Sequence, residues 1–346
     1  MRKYIYNLAT DKYKGSISAV IKLFLFILSV IYGLVIRLLI LFYRIKPYRF
    51  NCKVISVGNI TLGGTGKTSL VEYICRFLKE KGKKASVLTR GYKGSSKAIA
   101  DEPYMLQNNL KDVHVIVDAD RIKAGNSAIN DFGIDTLVLD DGFQQWKIKK
   151  DLEVVVIDAT CPFGNKHMIP RGILREPLSS LKRADIFVLT KTNLKSDTRE
   201  LKNSLSEINP SAEIFESMHR PIGFYNINKH QELLNLEYLK GRNVTLFSGI
   251  GDPDSFEKLI TDLGINIGLS LRFPDHYNYS QKDLDNISKE SREKGIDTII
   301  TTEKDAARLR SSQLAACNSQ LSVLRIAIAI KDEQRFYNRL LELYSI

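Results

Sequence analysis

The sequence predicts an α/β protein with a mostly parallel sheet covered by helices on both faces, a second, smaller α/β domain, and a membrane-associated helix at the N-terminus. Three observations lead to this prediction. Short β-branched runs alternate with helical stretches after Pro47, a glycine-rich loop joins the first of these strands to a helix, and the first 50 residues are both apolar and basic. Near-continuous apolar strands separated by helices are typical of parallel sheets that are buried on both faces.

Length and composition limit the classes of protein to consider. The 346 residues are 44% hydrophobic and 26% charged, values that favour about two globular domains and exclude disordered chains and multi-span membrane proteins. The four cysteines form no CxxC pair, and the five histidines form no cluster with metal-ligand spacing. We therefore expect neither a disulfide framework nor bound zinc or iron.

The net charge of +12 is concentrated at the N-terminus. Residues 1–50 hold nine basic residues against the single acid Asp11, and so account for eight of the twelve net charges. The rest of the chain carries only +4, which argues against a nucleic-acid partner because such a partner requires a basic groove. We expect the basic arm to contact an anionic membrane surface.

An apolar helix is predicted within this arm, from Leu23 to Tyr43. Its uncharged part is 14 residues long, about 21 Å as a helix, against a bilayer core of ~30 Å. At helical spacing the polar and small residues fall on one narrow stripe: Lys22, Ser29, Gly33, Arg37 and Arg44. This pattern is typical of a helix lying in the membrane interface, and the alternative is a single span with Arg37 snorkelling to the surface.

The rest of the chain divides by its pattern of strands. We predict an arm at 1–50, a nucleotide-binding core domain at 51–215, a linker at 216–240, and a smaller α/β domain with a C-terminal helix at 241–346. The predicted strands are 53–57, 85–88, 113–117, 136–140, 152–157, 185–189, 244–248, 298–301 and 322–328. In the smaller domain, Asp252 is expected to cap a helix that Pro253 begins and Gly264 ends.

The strongest local motif is a glycine-rich loop between the first strand and a helix. Backbone N–H groups in such a loop surround phosphate oxygens at a helix N-terminus, where a lysine reaches the β- and γ-phosphates and a hydroxyl contacts Mg²⁺. These features predict a P-loop NTPase-type domain that binds a nucleoside triphosphate. The residues concerned are Thr61, Leu62, Gly63, Gly64, Thr65, Gly66, Lys67 and Thr68.

Two acidic residues follow the apolar strand at 136–140. A carboxylate at that strand end, in a protein with a phosphate loop, can hold the Mg²⁺ of the nucleotide. We therefore expect Asp140 and Asp141, together with Thr68, to be the magnesium ligands. Guanine specificity is not expected, because Thr190-Lys191-Thr192-Asn193 lacks both end residues of NKxD.

A set of ten motifs, in order along the chain, resembles the tetraacyldisaccharide 4'-kinase family of lipid A biosynthesis. They are GNITLGGTGKTS, LTRGYKG, DEP, DADR, LDDGFQ, LREP, LTKTN, GIGDPDSF, FPDHYNY and TTEKDAARL. The family has a phosphate-loop domain, a smaller α/β domain joined by a hinge, and an N-terminal membrane helix. The connection between RGYKG and DEP is short here, and the N-terminal arm is longer and strongly basic.

The resemblance implies an activity and a set of site residues. The activity is ATP-dependent phosphorylation of the 4'-hydroxyl of a tetraacyldisaccharide 1-phosphate, an acylated disaccharide phosphate lipid, to give lipid IVA. Asp101 is implied as the base and His276 as its partner, with Lys67 offsetting charge on the transferred group. The implied substrate-binding residues are Tyr92, Glu102, Arg121, Arg175 and Glu176. The implied protein is a monomer on the cytoplasmic face of the bacterial inner membrane.

A second interpretation belongs to another class. A membrane-associated P-loop ATPase switch acting on a protein partner also explains the loop, the acidic strand end and the N-terminal helix. The two hypotheses differ at Asp101 and His276, which a switch does not need.

Overall fold

The computed structural model describes residues 16–90, 101–195, 197–227, 232–309 and 321–345. These residues fall into two compact units. The first contains residues up to Arg90, Leu110–Met218 and the residues from Ala329 onward. The second contains the stretch that ends at Asn109 together with His219–Ile328.

Eleven strands lie in the described residues. Nine of them match the nine predicted strands to within about two residues, whereas the seventh and the ninth, at 213–226 and 266–272, were not predicted. The eleven strands are β1 Lys53–Gly58, β2 Ala85–Thr89, β3 His114–Val117, β4 Thr136–Asp140, β5 Leu152–Asp158, β6 Ile186–Thr190, β7 Glu213–Asn226, β8 Asn243–Ser248, β9 Asn266–Arg272, β10 Thr298–Thr302 and β11 Leu321–Ile330. The strands β1, β2, β4 and β6 are buried along almost their whole length, as expected of a sheet covered by helices.

The described α-helices connect these strands. They are α1 Ser16–Ile45, α2 Lys67–Glu80, α3 Asp101–Asn109, α4 Arg121–Phe132, α5 Arg199–Ile208, α6 Pro253–Asp262, α7 Gln281–Glu293, α8 Glu303–Ala306 and α9 Glu333–Leu341. The predicted start of α6 is confirmed, because the Asp252 side chain accepts a hydrogen bond from the Ser255 N–H at 3.2 Å and Pro253 stands in the first turn.

The first unit contains a parallel sheet in the order β3-β2-β4-β1-β5-β6-β7. Order changes of this kind require crossover connections, which the helices supply. Its core includes a cluster with Phe143, Val155 and Phe187, and a second cluster with Leu88 and Leu137. The predicted mostly parallel sheet with helices is confirmed.

The second unit contains a parallel sheet in the order β11-β10-β8-β9. Its core contains Phe247, Tyr279 and Val323 in one cluster, and Leu246 and Ile300 in another. The smaller α/β part of the fold prediction therefore has a sheet and core of its own.

The predicted linker at 216–240 is occupied in its first part by a strand. β7 runs to Asn226, ten residues beyond where the linker prediction begins. Pro221 and Gly223 both disfavour strand interiors, so their presence concealed the strand in the sequence. Both β7 and β11 contain residues of each compact unit.

The N-terminal helix α1 packs on the first unit through the middle of its polar stripe. Ser29 Oγ donates to the Met168 carbonyl at 2.9 Å, and a Cβ at Gly33 would be 3.1 Å from the Met168 sulfur. Its stretch Ala19–Ile45 is long and apolar enough to cross a membrane. Ser29 and Gly33 of the predicted stripe thus lie against protein, while much of the rest of the helix exposes large apolar side chains. These include Val20, Leu23, Phe24, Ile27, Ile31, Leu34, Leu38, Leu41, Phe42 and Ile45.

Candidate functional site

The glycine-rich loop lies between β1 and α2. Gly66, the residue before α2, has a φ of 88°, a left-handed conformation that glycine adopts without strain. Glycine has no side chain with which to cap α2, so within the described residues no N-cap side chain accepts from the N–H groups of the first turn. A helix N-terminus of this kind binds anions through its N–H groups and its dipole. The loop therefore has the local structure that the phosphates of a nucleotide require.

Two buried polar side chains from outside the motif brace this loop. Asn59 Nδ2 donates to the Thr61 carbonyl at 2.8 Å, and Thr190 Oγ1 donates to the Thr65 carbonyl at 2.9 Å. Both Asn59 and Thr190 are buried. Because the loop is held before any ligand arrives, binding a phosphate costs less conformational entropy.

The acidic pair at the end of β4 has one buried member, Asp140, and one, Asp141, that faces two cations. Asp140 is buried and its Oδ2 accepts a hydrogen bond from Thr89 Oγ1 at 3.3 Å. Asp141 Oδ1 lies 2.8 Å from Arg175 Nη1 and 3.8 Å from Lys67 Nζ. Burial opposes ionisation of Asp141, but Lys67 and Arg175 outweigh it and hold the pKa of Asp141 below its ordinary value. Asp141 is therefore a carboxylate at neutral pH, in contact with the lysine of the phosphate loop.

Arg121 lies behind the same acidic pair. It is 3% exposed, and its guanidinium donates to the carbonyls of Asp140 and Asp118, each at 3.1 Å. Its Nε has no hydrogen-bond partner among the described residues. Burial lowers the pKa of Arg121, and the carboxylates of Asp140 and Asp141 oppose that effect. In this structure Arg121, implied above as a substrate-binding residue, fixes the end of β4.

Glu176 is wholly buried. Its Oε1 accepts hydrogen bonds from Gln144 Nε2 and Trp146 Nε1, both at 3.1 Å, and Arg183 lies 2.9 Å from its Oε2. These contacts brace the segment that follows Arg175. Its expected place among the substrate ligands stays a prediction.

Among the described residues, no group of three or more His, Cys, Asp or Glu side chains is placed to hold a metal ion. The predicted magnesium ligands are a different donor set, one hydroxyl and two carboxylates. Thr68 and Asp140 are both buried, at the start of α2 and at the end of β4. Oxygen donors of this kind suit Mg²⁺ when nucleotide phosphates complete its coordination.

His276 lies in the second unit, in the loop that follows β9. It has a φ of 58°, and its N–H donates to the Gly249 carbonyl at 3.1 Å. A non-glycine residue in this conformation costs free energy and is frequent at functional sites. Its ring is half-exposed, with Nδ1 3.3 Å from Arg308 Nη2 and Nε2 4.0 Å from Asp275 Oδ2.

Asp101 and Glu102 are the first two residues of α3, and their side chains lie outside the described part of the structure, as does Tyr92 entirely. The other end of α3 is held by a polar cluster. Arg325 donates to Asn109 Oδ1 at 3.1 Å and to Glu303 Oε1 at 3.0 Å.

The structure adds three residues that sequence reasoning left without a role. Asn59 connects the phosphate loop to the arginine beside Asp141, because its Oδ1 also accepts from Arg175 Nη1 at 3.3 Å. Asp305 and Arg308 lie next to the His276 loop. The signal for Asp305 was present in the motif TTEKDAARL, where charged residues follow a buried strand, but that pattern does not reveal which charge is buried.

The family model described as tetraacyldisaccharide-1-P 4'-kinase matches residues 21–345 of the chain. Curated relatives carry the name tetraacyldisaccharide 4'-kinase. One from Halothermothrix orenii is 36% identical, with 96% of this chain and 95% of the relative aligned. One from Syntrophus aciditrophicus is 33% identical, with 90% of this chain and 93% of the relative aligned.

A solved structure is also similar, that of LpxK from Aquifex aeolicus in complex with ATP. The TM-score is 0.74 and the identity 29%, with 92% of this chain and 98% of that chain covered. The likeness therefore extends over both compact units of the fold.

Proposed function

Because the chain belongs to the tetraacyldisaccharide 4'-kinase family, we propose that it phosphorylates the 4'-hydroxyl of a tetraacyldisaccharide 1-phosphate to give lipid IVA. Family membership makes the protein an ATP-dependent kinase of lipid A biosynthesis whose acceptor is an alcohol. The observation that carries the proposal is the contact of the loop lysine, Lys67, with Asp141 beside an uncapped helix N-terminus, in a chain that the family model matches almost throughout.

The proposed reaction forms a bond between the 4'-oxygen and the γ-phosphorus and breaks the bond from that phosphorus to the β–γ bridging oxygen, releasing ADP. The hydroxyl proton goes to the carboxylate of Asp101. Lys67 and the N–H groups at the start of α2 stabilise the negative charge on the phosphoryl oxygens. His276 orients the carboxylate of Asp101, and its own contacts are developed below.

ATP is the nucleotide, in keeping with the complex that the Aquifex aeolicus relative forms. The residues from Thr61 to Thr68 are proposed to hold its phosphates. Mg²⁺ would be held by Thr68, Asp140 and Asp141, and would supply charge neutralisation at the β- and γ-phosphates. Asp141 is already paired with Lys67 and Arg175, so it also sets the position of the loop lysine.

The acceptor is proposed to contact Tyr92, Glu102 and Arg175. The contacts of the Arg175 guanidinium with Asp141 and Asn59 are made by Nη1, and the side chain is partly exposed, so the guanidinium can also reach a phosphate oxygen. Arg121 and Glu176 are buried, and we assign them an indirect part through the backbone of Asp140 and the segment after Arg175.

We infer that α1 lies along the membrane surface on the cytoplasmic face of the bacterial inner membrane, with the protein a monomer. The middle of the helix contacts the first unit through Ser29 and Tyr32, whose hydroxyl donates to the Arg175 carbonyl at 3.0 Å. If α1 crossed the membrane, the residues that it contacts, Met168 and Arg175, would have to lie within the hydrocarbon core of the bilayer. The outward face of α1 is apolar, and the basic arm before it attracts an anionic leaflet.

The proposed base is tested with Asp101→Ala and the isosteric Asp101→Asn in detergent, using ATP and a tetraacyldisaccharide 1-phosphate. We expect kcat for lipid phosphorylation to fall by about 10²- to 10⁴-fold while the ATP dissociation constant changes by less than about twofold, because the loss falls on the chemical step. Unchanged kcat in both variants would exclude Asp101 as the base, whereas no lipid phosphorylation by the folded wild-type protein would return the ATPase-switch hypothesis to consideration.

A further inference from the structure

The buried turn at Asp305 is connected to the loop that carries His276. Asp305 is wholly buried, and its Oδ1 accepts from the Gly249 N–H and the Tyr279 hydroxyl, each at 2.9 Å. Its Oδ2 accepts from Thr302 Oγ1 at 2.7 Å. Burial raises the pKa of Asp305, and these donors act against that rise. A buried carboxylate with this many donors is a fixed point to which other groups can be attached.

Arg308 extends from this fixed point to the imidazole. Its side chain is 2% exposed, and its Nη1 donates to Asp305 Oδ1 at 3.0 Å and to the Gly249 carbonyl at 2.7 Å. Its Nη2 lies 3.3 Å from His276 Nδ1. The Gly249 carbonyl also accepts the His276 N–H at 3.1 Å, so Arg308 and the backbone of His276 share one acceptor. Asp305 and the Gly249 carbonyl therefore hold the Arg308 guanidinium in a fixed position beside the imidazole ring.

The contact between Arg308 and His276 determines where the ring proton is. A guanidinium has only donors, so His276 Nδ1 must offer its lone pair in this hydrogen bond. The neutral ring then carries its proton on Nε2. Other charged and titratable groups of the described residues near this loop include Asp275, 4.0 Å from Nε2, and Tyr277, which packs against Tyr279. Tyr279 and Gly249 both donate to the buried Asp305.

We propose that Arg308 is a positioning residue for His276, held by Asp305, and that it fixes the ring as the Nε2–H tautomer so that His276 donates to a carboxylate instead of accepting the proton of the substrate. This inference rests on the proposed function, which assigns the carboxylate to Asp101. It gives the two groups distinct roles: the carboxylate of Asp101 accepts the proton of the hydroxyl, and His276 orients that carboxylate.

The test compares Arg308→Met and Arg308→Lys with Arg272→Met as the control. Arg272 is an exposed arginine of the same unit, paired with Glu257 at 2.7 Å and Asp254 at 2.8 Å, and it has no place in the proposed machinery. With ATP and a tetraacyldisaccharide 1-phosphate, we expect Arg308→Met to lower kcat by about 10- to 100-fold with little change in the KM for ATP. Arg308→Lys keeps a donor and should recover part of this loss, and Arg272→Met should match the wild type.

Two readouts separate positioning from a general structural effect. Nitrogen NMR of the imidazole should show His276 as the Nε2–H tautomer in the wild type and as a mixture of tautomers in Arg308→Met. In a double-mutant cycle, Arg308→Met should have no further effect on kcat once His276 is alanine, because it acts through that ring.

Additive effects in the cycle, or a ring protonated on Nδ1 in the wild type, would overturn the proposal for Arg308. A wild-type kcat in His276→Ala alone would instead contradict the role given to His276 in the proposed function, so the two failures are distinguishable.

Discussion

The close approach between the end of β1 and the acidic turn gives a quantitative prediction. A Cβ added at Gly58 would lie 2.4 Å from the Phe143 backbone N and 2.5 Å from the Phe143 Cβ. Phe143 is fully buried and stands two residues after Asp141. A rotamer change cannot relieve contacts with backbone, so Gly58→Ala must move the turn by about 1 Å.

Overpacking of this kind costs about 1–3 kcal/mol, and we expect the upper part of that range because the obstructing atoms are backbone. For a unit of about 200 residues, 2–3 kcal/mol corresponds to a Tm lower by about 5–10 °C. The displaced turn carries Asp141 away from Lys67, so ATP affinity should fall about tenfold. Differential scanning calorimetry without ATP and titration calorimetry with ATP measure the two effects.

Gly64→Ala is the matched control for stability, because a Cβ at Gly64 would meet nothing within 4 Å. Its Tm without ATP should stay within about 1 °C of the wild type. A Gly58→Ala variant that melts with the wild type would refute the reasoning, since the steric conflict would then have no cost.

Three further predictions concern acid stability, a buried amide and the N-terminal helix α1. Hydrogen bonds from Lys202 and Thr198 lower the pKa of Glu216 to about 2, so the stability that Glu216 contributes is complete above its ordinary pKa of 4.5 and is lost as the pH falls toward 2. Lys202→Met should therefore lower the free energy of unfolding, measured by urea denaturation, by about 1–2 kcal/mol at pH 7 and by almost nothing near pH 2. An equal loss at both pH values would contradict this. Asn209 Nδ2 donates to the carbonyls of Leu181 at 3.1 Å and Ala184 at 2.8 Å, so Asn209→Ala should lower the free energy of unfolding by about 2 kcal/mol, and a loss below about 0.5 kcal/mol would count against these bonds. Leu38 is 67% exposed on α1, so Leu38→Glu should weaken binding to vesicles with anionic lipid by about 10- to 100-fold in a sedimentation assay while leaving Tm unchanged. Undiminished binding would show that this face of α1 does not enter the membrane.

Local patterns allowed most of the fold to be predicted. The strands at 53–57 and 136–140 are apolar and buried on both sides, so composition alone identifies them. No strand was predicted at the position of β7, partly because Pro221 and Gly223 disfavour strand interiors and partly because its pairing with β6 depends on residues far away in the sequence. Non-local pairing leaves little trace in a local pattern.

The parts of the candidate site that could be predicted are those formed by one short segment each. The phosphate loop at 61–68 is one such segment and the acidic pair at 140–141 is another, and the structure brings Lys67 of the first close to Asp141 of the second. The burial of Glu176 and the contact of Arg308 with His276 depend on tertiary packing, so a charged residue in a motif did not show whether it faces a ligand or supports another residue. The packing of α1 also depends on tertiary structure, because Ser29 and Gly33 of its polar stripe lie against Met168, which is far away in the sequence.

The most direct measurement follows phosphate from the γ-position of ATP into lipid by the wild-type protein in detergent. We predict a labelled product that carries phosphate on the 4'-oxygen of the tetraacyldisaccharide 1-phosphate, formed in equal amount with ADP, and little ADP when the acceptor is omitted. ADP released at the same rate with and without the lipid, and no labelled lipid from folded protein, would contradict the account.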